Sequence, residues 1–128
     1  MSFTNFLETE ILDHVFAGAA YSAPSQHYLA LFTAAPGETG GGTEVSTSGT
    51  AYARRPVNFT TSGATTSNNA AVEFATATAS FGTVTHVGVF DAATSGNMMA
   101  YATLASSKAI DTGDVFRVPS GDLDITLN

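Results

Sequence analysis

Cysteine and tryptophan are absent from this chain, and charge is scarce. Without cysteine there is no disulfide, no thiolate nucleophile and no sulfur-built zinc site, and the redox compartment is left open. Only 12% of the 128 residues are charged, about half the share of an ordinary soluble domain. The four cations, Arg54, Arg55, Lys108 and Arg117, face eleven acids, for a net charge of −7. So few positive charges argue against direct binding to nucleic acid, which needs clustered Lys and Arg to neutralise phosphates. Anionic membranes are disfavoured for the same reason. No apolar run approaches the length of a transmembrane helix. The opening stretch MSFTNFLETEILDHVF has no basic region and carries Glu8, Glu10 and Asp13 within its apolar run, unlike a signal peptide. Synthesis in the cytoplasm is the expectation.

Ala, Ser, Thr and Gly take the place of the missing charge. They suit strands and turns with a hydroxyl-rich surface, a palette common in proteins that bury much surface in an assembly. The length fits one domain spanning residues 1–128, with a core of its own. Phe3, Leu7, Ile11 and Val15 form one stripe and predict a helix over residues 3–17. Ser2 is available as its cap and Gly18 as its stop. Phe6, Leu12 and Phe16 fall off the stripe, and a single sheet face would not cover them all. The helix is therefore expected to pack on its own domain and against a neighbour, the alternative being complete burial in its own core.

From residue 27 to residue 128 the apolar pattern has period two. His27–Thr33 reads as a strand with Leu29 and Leu31 on one face, Tyr28 and Phe32 on the other. Residues 37–48 read as a flexible loop, too rich in glycine for regular structure, which a partner would order. Pro56 demotes its surroundings to an edge or bulged strand. The Thr/Ser/Asn/Gly stretch 60–69 reads as a surface loop or turn, and Ala71–Ala75 places Val72 and Phe74 on one face. Thr83–Phe90 has no purely polar side and should be central. A turn tipped by Ser95, Gly96 and Asn97 leads into a return strand, Met98–Leu104. Lys108–Ile110 and Val115–Val118 follow as separate short strands, and Leu123, Ile125 and Leu127 alternate with polar residues in a half-buried last strand. Roughly seven to nine strands with frequent turns imply an all-β fold, an antiparallel β-sandwich or jelly-roll-like barrel with one N-terminal helix.

Catalytic raw material is poor. His14, His27 and His86 share no metal-ligand spacing, and His86 falls in the face series of Val84 and Gly88, as a hydrogen-bonded, half-buried histidine would. No serine occupies a nucleophile elbow, and Gly40-Gly41-Gly42 lacks the Lys-Ser/Thr and following helix of a phosphate-binding loop. Asp111, Asp114, Asp122 and Asp124 lack the spacing of a calcium loop and read as turn and surface residues. Neither a metal nor a cofactor is expected. Arg54 and Arg55, the only basic pair, point to opposite faces if extended. Their functional reading is an inter-subunit salt bridge; the plain one is an edge-strand charge.

Two stretches carry a resemblance, YLALFTAAPGETGGGTEVSTSGTAYARRPVNF at 28–59 and VTHVGVFDAATSGN at 84–97, together with the closing GDLDITL. In these blocks the chain resembles a family of small virion proteins of tailed bacteriophages, tail-fibre-like or capsid-decorating. That resemblance implies a non-enzymatic structural protein of the virion. The acidic balance suits the outside of a DNA-filled shell, so capsid decoration or cementing is the favoured role, with the major capsid protein or tail structural proteins as partners. A homo-oligomer is expected, with a trimer suggested by the local three-fold junctions of such shells. The expected interface comprises Phe3, Phe6, Leu7, Leu12 and Phe16 of the helix, the loop glycines Gly40, Gly41 and Gly42, and Arg54 and Arg55. The alternatives are a tail or fibre component, though repeats and a stalk are lacking, and a receptor- or glycan-binding module, though Trp is absent and the Tyr are scattered.

Overall fold

The chain's most continuous apolar runs become its central strands. A computed structural model describes residues 1–128. In it β2 (His27–Ala34) pairs with β8 (Gly82–Phe90), and β8 pairs in turn with β9 (Met98–Ile110). At the far side of β9 lies β1 (Ser2–Phe3); at the far side of β2 lie β3 (Thr43–Glu44) and β4 (Arg55–Val57), completing a six-stranded sheet. A second layer consists of a three-stranded sheet, β5 (Phe59–Ser62), β6 (Thr65–Asn68) and β11 (Asp124–Thr126), and a two-stranded one, β7 (Val72–Glu73) with β10 (Arg117–Val118). Every pairing is antiparallel. With the single helix α1 (Asn5–Phe16), the fold is all-β with one N-terminal helix.

The period-two pattern sorts the side chains between two cores. Leu29, Leu31, Val87 and Val89 of the large sheet meet Val72, Phe74, Phe116 and Leu123 in the principal core. Ala30, Phe32, Phe90 and Met98 form a smaller cluster on the opposite face, where Phe32 stacks on Phe90 at 6.2 Å. Gly88 makes that stacking possible, because a Cβ there would lie 3.0 Å from Phe32 Cε2. Val84 joins the principal core beside Val87 although an odd spacing separates them. The ladder between β8 and β9 shifts register after Val84, so Val84 is not on the face of His86 and Gly88 as simple alternation required. Residues 104–107 of β9 have no partner in that ladder and form a wide bulge, which joins what the sequence pattern divides into two strands.

The outer edge of β2 is closed in three pieces. β4 pairs with His27–Leu29, and β3 pairs with Phe32 and Ala34. Between them the N–H of Leu31 donates to the hydroxyl of Tyr52 at 3.1 Å. Tyr52 is 4% exposed, stacked on Phe74 at 6.0 Å and edge-on to Phe81 at 5.7 Å. Burial pushes the pKa of its hydroxyl well above the ordinary tyrosine range, so the group stays a neutral acceptor. A second buried polar anchor is Asn68, whose Nδ2 donates to the carbonyls of Ala70 and Pro119 and whose Oδ1 accepts from Leu123 N–H, each at 2.9 Å.

Several local expectations are corrected. The helix begins at Asn5, not residue 3, because Phe3 is taken into β1 opposite Ala100. Thr4, not Ser2, precedes the first turn, and its hydroxyl donates to Met98 O at 2.6 Å instead of capping. Gly18 does stop the helix, at a φ of +74°. Residues 37–48 are not all irregular: they contain β3, and Val45 is buried. Gly42 is required by its turn, where φ is +85° and a Cβ would come within 2.6 Å of Pro36 Cα. Residues 60–69 form the β5–β6 hairpin, supported by hydroxyl pairs such as Thr61 with Thr66 at 3.0 Å.

Tyr52→Phe keeps the ring packing and removes only the acceptor for a buried N–H. The substitution should lower the unfolding free energy by about 1–3 kcal/mol in urea titration, with the slope unchanged. A variant as stable as the parent would mean that Leu31 N–H finds another acceptor.

Candidate functional site

The titratable residues are dispersed into separate structural roles. His14 Nδ1 accepts from Tyr21 N–H at 3.1 Å, His86 Nδ1 lies 2.8 Å from Thr85 Oγ1, and His27 packs edge-on against Phe59 at 6.0 Å. Asp111 and Asp114 close their own turn, with Asp111 N–H donating to Asp114 Oδ2 at 2.9 Å, while Asp124 accepts from the Ser67 hydroxyl. No cluster of three or more His, Asp or Glu is arranged to hold a metal.

The most organised polar centre is built on Arg54. Its Nε donates to both oxygens of Glu44, at 2.9 and 3.1 Å, and its Nη1 donates to the carbonyls of Ala92 and Ser95 at 3.0 and 2.7 Å. The guanidinium lies 3.6 Å from the centre of the Phe90 ring, and the side chain is only 10% exposed. The carbonyls are presented by the β8–β9 turn, where Asp91 accepts from Asn97 N–H at 2.7 Å and Gly96 leaves room that a Cβ would fill. Arg54 thus meets its carboxylate within its own chain, which corrects the inter-subunit salt bridge expected for it. Arg55, the next residue, is exposed in β4.

The expected interface residues separate in the same way. Leu7 is buried and belongs to the domain's own packing; Phe3 and Phe6 are half-buried. Phe6 and Gly40 come together around a cavity of about 270 Å³, with Glu38 and Asn97 at its wall. Gly41 and Gly42 fold back on Pro36. Leu12 and Phe16 stand clear of the domain at 57% and 81% exposure. Val15, assigned by its spacing to the buried stripe, is 60% exposed beside them. A groove of about 310 Å³ between the β5–β6 hairpin and the large sheet has a mostly apolar lining that includes Phe3, Leu7, His27, Phe59 and Ile125. Linear sequence gives no sign of this groove, since its walls come from distant segments.

Residues 2–126 match the family model described as podophage GP4 fiber I protein gp80. The chain belongs to this family. The matched span runs from β1 to the end of β11 and includes α1. The protein is accordingly a structural protein of a tailed phage, as the resemblance in its strand and turn blocks implied. A search of curated proteins finds no significant match.

Two predictions follow from the geometry around Phe90 and Phe59. Arg54→Ala strands the Glu44 carboxylate and two turn carbonyls, and should cost about 2–3 kcal/mol in chemical denaturation. Arg54→Lys should restore only part of this, because an ammonium cannot span carboxylate and carbonyls while stacking on Phe90. For His27, burial lowers the pKa below the ordinary histidine value, with Asp91 opposing. The fold therefore favours the neutral ring, and its contribution is complete above about pH 6.5 and lost as pH falls through the lowered folded value. Thermal unfolding followed against pH should show a steeper acid limb for the parent than for His27→Gln; parallel curves would refute the assignment.

Proposed function

We propose that the protein is a fibre-type subunit of a podophage particle that works by packing against neighbouring virion proteins, without catalysis. The observation that carries this reading is the match over residues 2–126 to a family described as a fibre protein. It favours the fibre alternative over the capsid-decorating role suggested by charge and compactness. The exposed apolar end of α1 supports an assembly role, since Leu12, Val15 and Phe16 together give a low-charge chain an adhesive patch. Tail structural proteins are the partners this reading names.

Immunogold labelling of purified particles should place the protein at the tail end. Particles lacking it should retain filled, heat-stable heads and lose adsorption to the host. Gold over the heads, with DNA released on mild heating and adsorption intact, would replace this reading with capsid decoration.

A further inference from the structure

The exposed end of α1 is acidic as well as apolar. Glu8, Leu12 and Phe16 follow at intervals of four and Val15 lies three beyond Leu12, so all four share one exposed face, and Asp13 borders it. The helix carries no Lys or Arg. Glu38 and the β8–β9 turn, which begins at Asp91, flank its first residues and add to the negative charge at this end of the molecule. Arg54 reaches the same turn but is already bound to Glu44.

Two of the three remaining cations line a single hollow elsewhere. Lys108 and Arg117 border a space of about 330 Å³ between the β9 bulge and the chain around β10, over a floor that includes Leu104, Phe116 and Leu123. Asp122 is the one acid in this lining, so cations outnumber acids there, whereas the whole chain has four against eleven. Arg117 is held only loosely, by an exposed Glu73 at 3.9 Å. Lys108 pairs with Val84, roughly 20 Å along β8 from Phe90, while Thr4, just before α1, is bonded to Met98 opposite Phe90. Hollow and helix therefore lie toward opposite ends of the β8–β9 hairpin, and α1 cannot fill the hollow of its own chain.

We infer that the acid-flanked face of α1 in one copy docks into the Lys108–Arg117 hollow of the next. Leu12, Val15 and Phe16 cover its apolar floor, and Glu8 and Asp13 meet the two cations. The contact is heterologous, so successive copies form a ring or a filament. The three apolar side chains expose on the order of 300 Å², and with the facing wall a contact covers on the order of 600 Å², about half of what a stable interface buries. A single contact is therefore transient, with a dissociation constant on the order of 100 μM, and persists where copies are held side by side on a particle. The contact holds for either station on the virion, so the labelling experiment above and the one below fail independently.

Sedimentation velocity of the full chain over a range of concentrations, at low and at high salt, tests the contact. The parent should associate at about 20 mM salt and lose most of that association at about 500 mM, as exposed ion pairs are screened. Asp13→Lys removes two units of negative charge and suits the C-terminal half of a helix, so repulsion between copies falls while the fold is kept. Association should nevertheless weaken severalfold, because the charge facing Lys108 and Arg117 is reversed. Lys108→Glu should do likewise, while Arg55→Glu, an equal change of charge outside the hollow, should leave association within about twofold of the parent's. A chain with both Asp13→Lys and Lys108→Glu should recover most of the loss at low salt, since each reversed charge meets its reversed partner. Phe16→Ser should lose association at either salt. A parent that stays monomeric at low salt, an Asp13→Lys protein that associates as well as the parent, a Phe16→Ser protein that still associates, or a double variant no better than the single ones would overturn the inference. Equal losses in Arg55→Glu and Lys108→Glu would do the same. If Lys108→Glu melts early by circular dichroism, Arg117→Glu replaces it in both chains, with the same outcomes.

Discussion

A guanidinium withdrawn from water must find partners for its charge and its donors, and at Arg54 the surrounding chain is shaped to supply them. Glu44 arrives on β3, which exists because the turn through Gly42 folds the chain back against Pro36. The two carbonyls arrive on the β8–β9 turn, which closes because Asp91 binds Asn97 and Gly96 leaves the space between them. Phe90 supplies the ring beneath. The glycines of both turns thus act as geometric necessities around one buried cation. In a chain with only four positive charges, no second ion pair approaches this one in burial: Arg117 and Glu73 stand 3.9 Å apart and largely exposed.

The strands legible in the sequence are those with an apolar run or a clear alternation, β2 and β8 among the first and the last strand among the second. Leu29 and Leu31, Val72 and Phe74, and Leu123 with Asp122 and Asp124 declared their sides, and each buried member is in the principal core. The β5–β6 hairpin was hidden because Thr61 and Thr66 satisfy each other by hydroxyl contact across the strands, leaving no apolar alternation to detect. β9 reads as two strands because residues 104–107 bulge out of the ladder, and Ser106 and Ser107 look like a turn.

The exposed apolar end of the helix is legible in part. Phe6, Leu12 and Phe16 fall off the stripe of Leu7, and Leu12 and Phe16 are exposed, but spacing alone does not say which side of α1 meets the domain. Phe3 is taken into β1, Leu7 is the one buried residue of the helix, and Val15, two turns further on, is exposed with Leu12 and Phe16. Arg54 could be seen to need a carboxylate, yet Glu44 is brought to it by tertiary structure. The groove walls come from positions as far apart as Phe3, Phe59 and Ile125, and such convergence has no linear signature.

The bulge in β9 has a consequence for the protein before it is built into anything. Beyond the two residues that β1 covers, the outer edge of this 13-residue, low-charge strand is a template on which unassembled copies could polymerise as cross-β aggregate. By throwing residues 104–107 out of line and placing Lys108 just beyond, the fold interrupts the row of free amides before it is long enough to capture a foreign strand. Such an interruption guards an edge without the surface charge on which most proteins rely.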